Sequence, residues 1–367
     1  MEGKVQWQRV LRGMLLPFCA FFLILVFNVL EATHLIDQFY TTGISRGILT
    51  GISVITSRFP FSVAEPLALI IIAAFIFLML RFIIAIICRS NVLARIISIT
   101  DMISLLIIVF LVSWGFNYRQ IGLAHISVDL APAKEVSFAE LEPLVRHLIH
   151  QAESERIAMG ITDDMPFRYQ GDMEEAAIEA YAELGKIYPE FRTPIGRPKP
   201  LISSRLFSHL GIAGIFIPFT AEANYNADQH ELLRPASILH ELAHLKGVAR
   251  EGEANFMAYL ASRYSKDPQV RYSATMLGLI QSANALENLD KQAAAESFQM
   301  YSPGMVIDLR EYNLYWRQFQ GEIQNRSREL NDAYLRSNGQ EGGADTYQEM
   351  VNYLIRFHKP VNDVNQH

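Results

Sequence analysis

Three apolar runs fill most of the first 116 residues of a 367-residue chain, and few soluble folds could absorb three of them in succession. Gly13 to Leu30 carries no charge. A second run starts near Pro66, passes Arg81 and ends at Cys88. The third, Ile96 to Phe116, is interrupted only by Asp101. Each approaches the ~20 apolar residues that a helix needs to cross the hydrocarbon core. The runs predict three transmembrane helices, over about 13–31, 65–88 and 96–116. They also predict a membrane domain, residues 1–117, ahead of a second domain, residues 118–367. Half of the chain is hydrophobic, and the excess lies before residue 117, so the remainder reads as a water-facing domain. No small-residue cleavage pattern follows the first run, which argues against a removed leader.

Orientation is read from Lys and Arg. Lys4, Arg9 and Arg12 precede the first span, and Arg89 and Arg95 separate the second from the third. The loop from Glu31 to Glu65 holds only Arg46 and Arg58. This bias places the N-terminus in the cytoplasm and the second domain outside it. The net charge of −6 disfavours nucleic acid as a partner. The two cysteines, Cys19 and Cys88, lie in or beside the spans, so any metal site in the second domain must use His and carboxylate.

Such a site is written at His240-Glu241-Leu242-Ala243-His244. Histidines four apart on a helix stand on one face, a turn apart, where both can reach one zinc ion. Glu241, next to the first, is placed to take a proton from a water rather than to bind metal. Pro235 suits a first helical turn and Gly247 a C-terminal stop. A catalytic zinc expects three protein ligands. The third is not a histidine at position 250, because Arg250 stands there and cannot lose its proton. The other known solution is an acid from the next helix. Glu253, within the turn that opens the run Ala254 to Leu260, is the preferred third ligand, with Glu251 its rival.

Elsewhere the domain reads as mainly helical with a small sheet. Ser137-Phe138-Ala139-Glu140 is a capping box that should start a helix reaching about Met159. Its His147 and His150 read as exposed residues rather than a second metal pair. Further helices are expected over Gly171–Ile187, Arg271–Leu289, Met305–Asn338 and Thr346–Phe357. Lys199 to Ser204 should begin a strand, and Ile215 to Phe219 should be an edge strand beside the metal helix, able to pair with an extended peptide. Tyr334 reads as packing.

His240 to Ala261 (HELAHLKGVAREGEANFMAYLA) resembles an uncharacterised family of bacterial multi-pass membrane proteins, a domain of unknown function. The resemblance extends to Arg58–Val63, Trp114–Tyr118, Pro218–Thr220, Glu222–Asn224 and Asn331–Leu335, and so covers nearly the whole chain. Glu253-Ala254-Asn255 is similar to the Glu-Ala-Asp of some membrane gluzincins. This chain has Gly252 where the family usually has a second acid. The resemblance implies a zinc metallopeptidase of the gluzincin kind, with His240, His244 and Glu253 as ligands and Glu241 as base, in a bacterial cell membrane. The resulting expectation is a membrane-anchored, zinc-dependent peptidase acting on extracytoplasmic proteins or peptides, with the lipid bilayer as its other partner. Two alternatives stand beside it: a non-catalytic scaffold or sensor with a structural zinc, and a zinc hydrolase of cell-wall material.

Overall fold

The computed structural model describes residues 13–30, 35–127, 130–133, 136–193, 195–340, 342–343 and 349–359. Lys4, Arg9 and Arg12, and residues 344–348 where the last helix was expected to begin, lie outside them.

Among the described residues, two helices are long and apolar enough to cross a membrane, Ala64–Ile87 and Val92–Ser113. They are α3 and α4, preceded among the described residues by α1 (Leu15–Val29) and α2 (Arg46–Thr56). Both long helices match the second and third expected spans. The first expectation is corrected: α1 has 15 residues, about 22 Å at 1.5 Å per residue, against a hydrocarbon core of about 30 Å. It lies along α4, with Gly13 against Ile97 at one end and the Phe27 ring 5.8 Å from that of Phe116 at the other.

The stretch between the first two runs is also helical. Ile36–Ser45 is a π-helix that continues into α2. Its buried side chains include Asp37, Thr41, Ser45, Ser53 and Thr56. Three of them bond to other segments: Ser45 Oγ donates to the Ser113 carbonyl at 2.7 Å, Asp37 accepts from the Ile121 amide and Ser53 from the Gly196 amide.

After a 3₁₀ turn, Gly115–Arg119, come α5 (Phe138–Ala158) and α6 (Met173–Ile187). A sheet and a short helix follow: β1 (Lys199–Pro200), α7 (Ser204–Leu210), β2 (Gly214–Ile217) and β3 (Glu222–Tyr225). The strand order is β1-β3-β2. β1 runs parallel to β3 with Lys199 opposite Asn224, and β2 runs antiparallel to β3 with Ile215 opposite Asn224. The expected edge strand is therefore at an edge, although it is shorter than predicted and starts at Gly214.

The rest is helical: α8 (Arg234–Leu245), α9 (Glu251–Arg263), α10 (Pro268–Leu289), α11 (Lys291–Phe298), α12 (Pro303–Arg317), α13 (Glu322–Ser337) and α14 (Met350–His358). The single helix expected over Met305–Asn338 is two, broken at Gly321, whose backbone is extended. Helix α8 is the centre of the domain, packed on β2 and β3 on one side and on α9 and α10 on the other. Leu239, Leu242, Ala243, Phe256, Leu260 and Met276 pack there with no exposed surface.

Candidate metal centre

Helix α8 carries both histidines, and its ends explain their setting. Pro235 needs no amide partner in the first turn, and the Ala236 amide donates to Ser273 Oγ. The helix stops at Gly247, whose φ of +96° suits glycine. There the Gly247 amide donates to the His244 carbonyl and the Val248 amide to Ala243, closing the C-terminal turn. This turn brings the Val248 carbonyl under the His244 ring, where it accepts from Nδ1 at 2.7 Å. On α9, Asn255 Oδ1 accepts from His240 Nδ1, also at 2.7 Å.

Carbonyl and amide oxygens only accept, so each Nδ1 carries a ring proton, and each Nε2 is the nitrogen left to face the other donors. The two Nε2 atoms lie 3.0 Å apart. Glu251 Oε2 lies 3.1 Å from one and 3.5 Å from the other. Ligands held ~2.0–2.1 Å from a tetrahedral zinc are separated by about 3.3 Å, so the three atoms are spaced as such an ion requires. Three lone-pair atoms this close repel one another unless a cation or a proton lies among them. His240, His244 and Glu251 are all buried. The donor set, two imidazoles and a carboxylate, fits zinc or a related divalent ion.

Glu253, the preferred third ligand, lies elsewhere. Successive residues turn by about 100° on a helix, so Glu251 and Asn255, four apart, share the face towards the histidines while Glu253 points away. Its carboxylate meets Arg250 at 3.1 Å and the Tyr353 hydroxyl at 2.9 Å. A Cβ at Gly122 would collide with it.

Glu241 lies outside the cluster, with its carboxylate against β2. A side chain at Gly214 would meet Glu241 Oε1 at 2.6 Å, so the strand can approach this closely only as glycine. The Phe216 amide donates to it. Burial pushes Glu241 up to about 7, against the opposing charges of His240 and His244. Burial would also raise Glu251, but the charges and hydrogen bonds of the two histidines hold it well below the usual carboxylate range. Burial would lower His244, but Glu251 raises it to about 9.

Several neighbours were not among the expected site residues. The Trp114 ring stands edge-on to that of His244 at 6.0 Å, and Phe216 lies 6.2 Å away. Tyr334, read as packing, sets its hydroxyl 3.1 Å from that of Tyr118. Burial and the charge of Glu251 raise both phenols, Tyr334 to about 12. Asn255 was also missed, and there the i, i+4 spacing from Glu251 on α9 was a sequence signal that could have found it. His147 and His150 are exposed, as expected.

A family profile described as "Protein of unknown function (DUF3810)" matches residues 40–355. The chain belongs to this family. The DUF3810 match runs from the π-helix to α14 and includes the whole donor cluster. No curated protein and no solved structure matches the chain.

Proposed function

We propose that the chain is a membrane-anchored, zinc-dependent peptidase, with His240, His244 and Glu251 as metal ligands and Glu241 as general base. One arrangement carries the reading: a three-donor cluster with zinc spacing stands beside a buried carboxylate that is not part of it, and that carboxylate faces an edge strand. A structural site would have a fourth protein ligand and no use for such a carboxylate. Among the described residues the cluster has three donors.

When bound, zinc would supply Lewis acidity towards a water and a scissile carbonyl. The chain supplies the rest. Asn255 and the Val248 carbonyl fix ring orientation and tautomer. Glu241, buried beside the cluster and outside it, is placed to take a proton from the attacking water and give it to the departing amine. The edge of β2 offers backbone groups to an extended peptide. Helices α3 and α4 anchor the chain in the bilayer with α1 beside them. Arg89 and Arg95, at the turn between α3 and α4, mark the cytoplasmic side, which puts the domain from residue 118 outside, in a bacterial cell membrane.

The test is Glu241→Gln, which keeps size and a carbonyl oxygen but accepts no proton. Peptide turnover should fall by about 10²–10⁴-fold, with metal content and thermal stability unchanged. Equal turnover in both proteins, or none in wild type across a broad peptide library, would favour a scaffold with a structural zinc.

A further inference from the structure

Resting on the peptidase reading, we propose that the substrates are polypeptides anchored in the same bilayer and cut close to their anchor. Helices α3 and α4 form a hairpin, so the N-terminus of α3 and the C-terminus of α4 lie at one end of it. With 24 and 22 residues, they measure about 36 and 33 Å, close to a hydrocarbon core of about 30 Å. That end therefore lies at the headgroup level, where Trp is favoured. Trp114 is the residue immediately after α4, and its ring meets that of His244 at 6.0 Å. The donor cluster is thus one side chain away from the end of a spanning helix.

The sheet is tied to the same end. Glu222 of β3 accepts from the Val63 and Ala64 amides at the start of α3, at 3.1 and 2.8 Å. Glu65 accepts from the Ile202 and Ser203 amides, both at 2.8 Å. Lys199 Nζ of β1 donates to Glu222 and to the Thr56 carbonyl. These ties, most of them buried or partly buried, hold the sheet, and with it β2 beside Glu241, at a fixed height against the bilayer. Around the same end, Phe59, Phe61 and Ile202 expose 44%, 41% and 79% of their surface, continuing the apolar face of α3 beyond its start. Lipid is the occupant that this continuity fits.

A site held flush with the bilayer meets an anchored chain at a high effective concentration, and a free one only by diffusion. The backbone groups of the β2 edge then select an extended segment, which a stretch just outside an anchor can adopt.

The experiment uses the full chain in phosphatidylcholine vesicles with zinc. The probe is a random peptide library of about ten residues, made in two forms, one carrying a dipalmitoyl-lysine anchor on a short polar spacer and one unanchored. The anchored form should be cleaved at least about tenfold faster, and dissolving the vesicles in excess detergent should remove the difference. Equal rates for the two forms, with both lost in Glu241→Gln, would overturn this proposal and leave the peptidase intact. Cleavage of neither form would overturn the peptidase reading itself.

Discussion

Glu251 and Asn255 stand one turn apart on α9 and act on the histidines from two sides, one at Nε2 of both rings and the other at Nδ1 of His240. Glu253, two residues on, is turned into a different pocket. The two acids should therefore fail differently when removed. Glu251→Ala should lose bound zinc. Glu253→Ala should keep it but lose about 1–3 kcal/mol of stability, because Tyr353 and Arg250 lose a buried partner. Asn255→Ala should keep the ligands yet weaken zinc affinity by roughly 10–100-fold, as loss of an orienting partner does. Metal titration of the three variants checks this, and zinc lost from Glu253→Ala but retained in Glu251→Ala would refute the assignment. The motif alone made His240, His244 and Glu241 legible. The choice between two acids two residues apart depended on where α9 begins, and a shift of one or two residues there reverses which acid faces the site.

Elements were legible where an apolar period or a terminator marked them. Helix α8 has Pro235 and Gly247, α3 and α4 have unbroken apolar runs, and β2 has an apolar run beside a turn. The helical stretch from Ile36 to Thr56 was not legible because its buried face holds Asp37, Thr41, Ser45, Ser53 and Thr56. A buried face made of hydroxyls and a carboxylate gives no hydrophobic period. Ser137 shows the converse: the helix it announces is present, but its hydroxyl donates to the Glu140 carboxylate at 2.7 Å rather than capping an amide. At the other end of the domain, α14 docks through a titratable contact. His358 Nε2 lies 2.9 Å from the Tyr259 hydroxyl, and burial, with the charges of His147 and Arg263, lowers its pKa to about 4. A histidine depressed in the fold contributes stability that is complete above its unfolded value of about 6.5. As pH falls from there to about 4, the unfolded chain binds a proton that the folded chain refuses, so stability should drop by on the order of 3 kcal/mol. His358→Gln should flatten that part of the profile, and denaturant midpoints measured between pH 7 and 4 would show it. An unchanged slope in the variant would assign the acid sensitivity to other groups.

Over the whole molecule, one buried pair stands between the membrane hairpin and the sheet, Lys199 Nζ and Glu222 Oε1 at 2.5 Å, with both side chains at most 5% exposed. Glu222 also accepts the first amides of α3, where the helix dipole favours a negative charge, and Lys199 closes the end of α2 through the Thr56 carbonyl. The start of α3, the end of α2 and the sheet thus share one electrostatic junction about one strand away from Glu241. A buried pair of this kind adds little over an apolar replacement, but removal of one partner leaves the other charged and unpaired at a cost of about 3–5 kcal/mol. Glu222→Ala should incur that cost and also free the Val63 and Ala64 amides. Lys199→Met combined with Glu222→Ala should recover part of it, because no bare ammonium remains. Thermal unfolding in one detergent, compared across wild type, the single and the double variant, tests this directly. The single variant should melt well below wild type and the double variant between the two. A single variant as stable as wild type would mean that the hairpin and the sheet are held together without this junction, and that the height of the site above the bilayer has another cause.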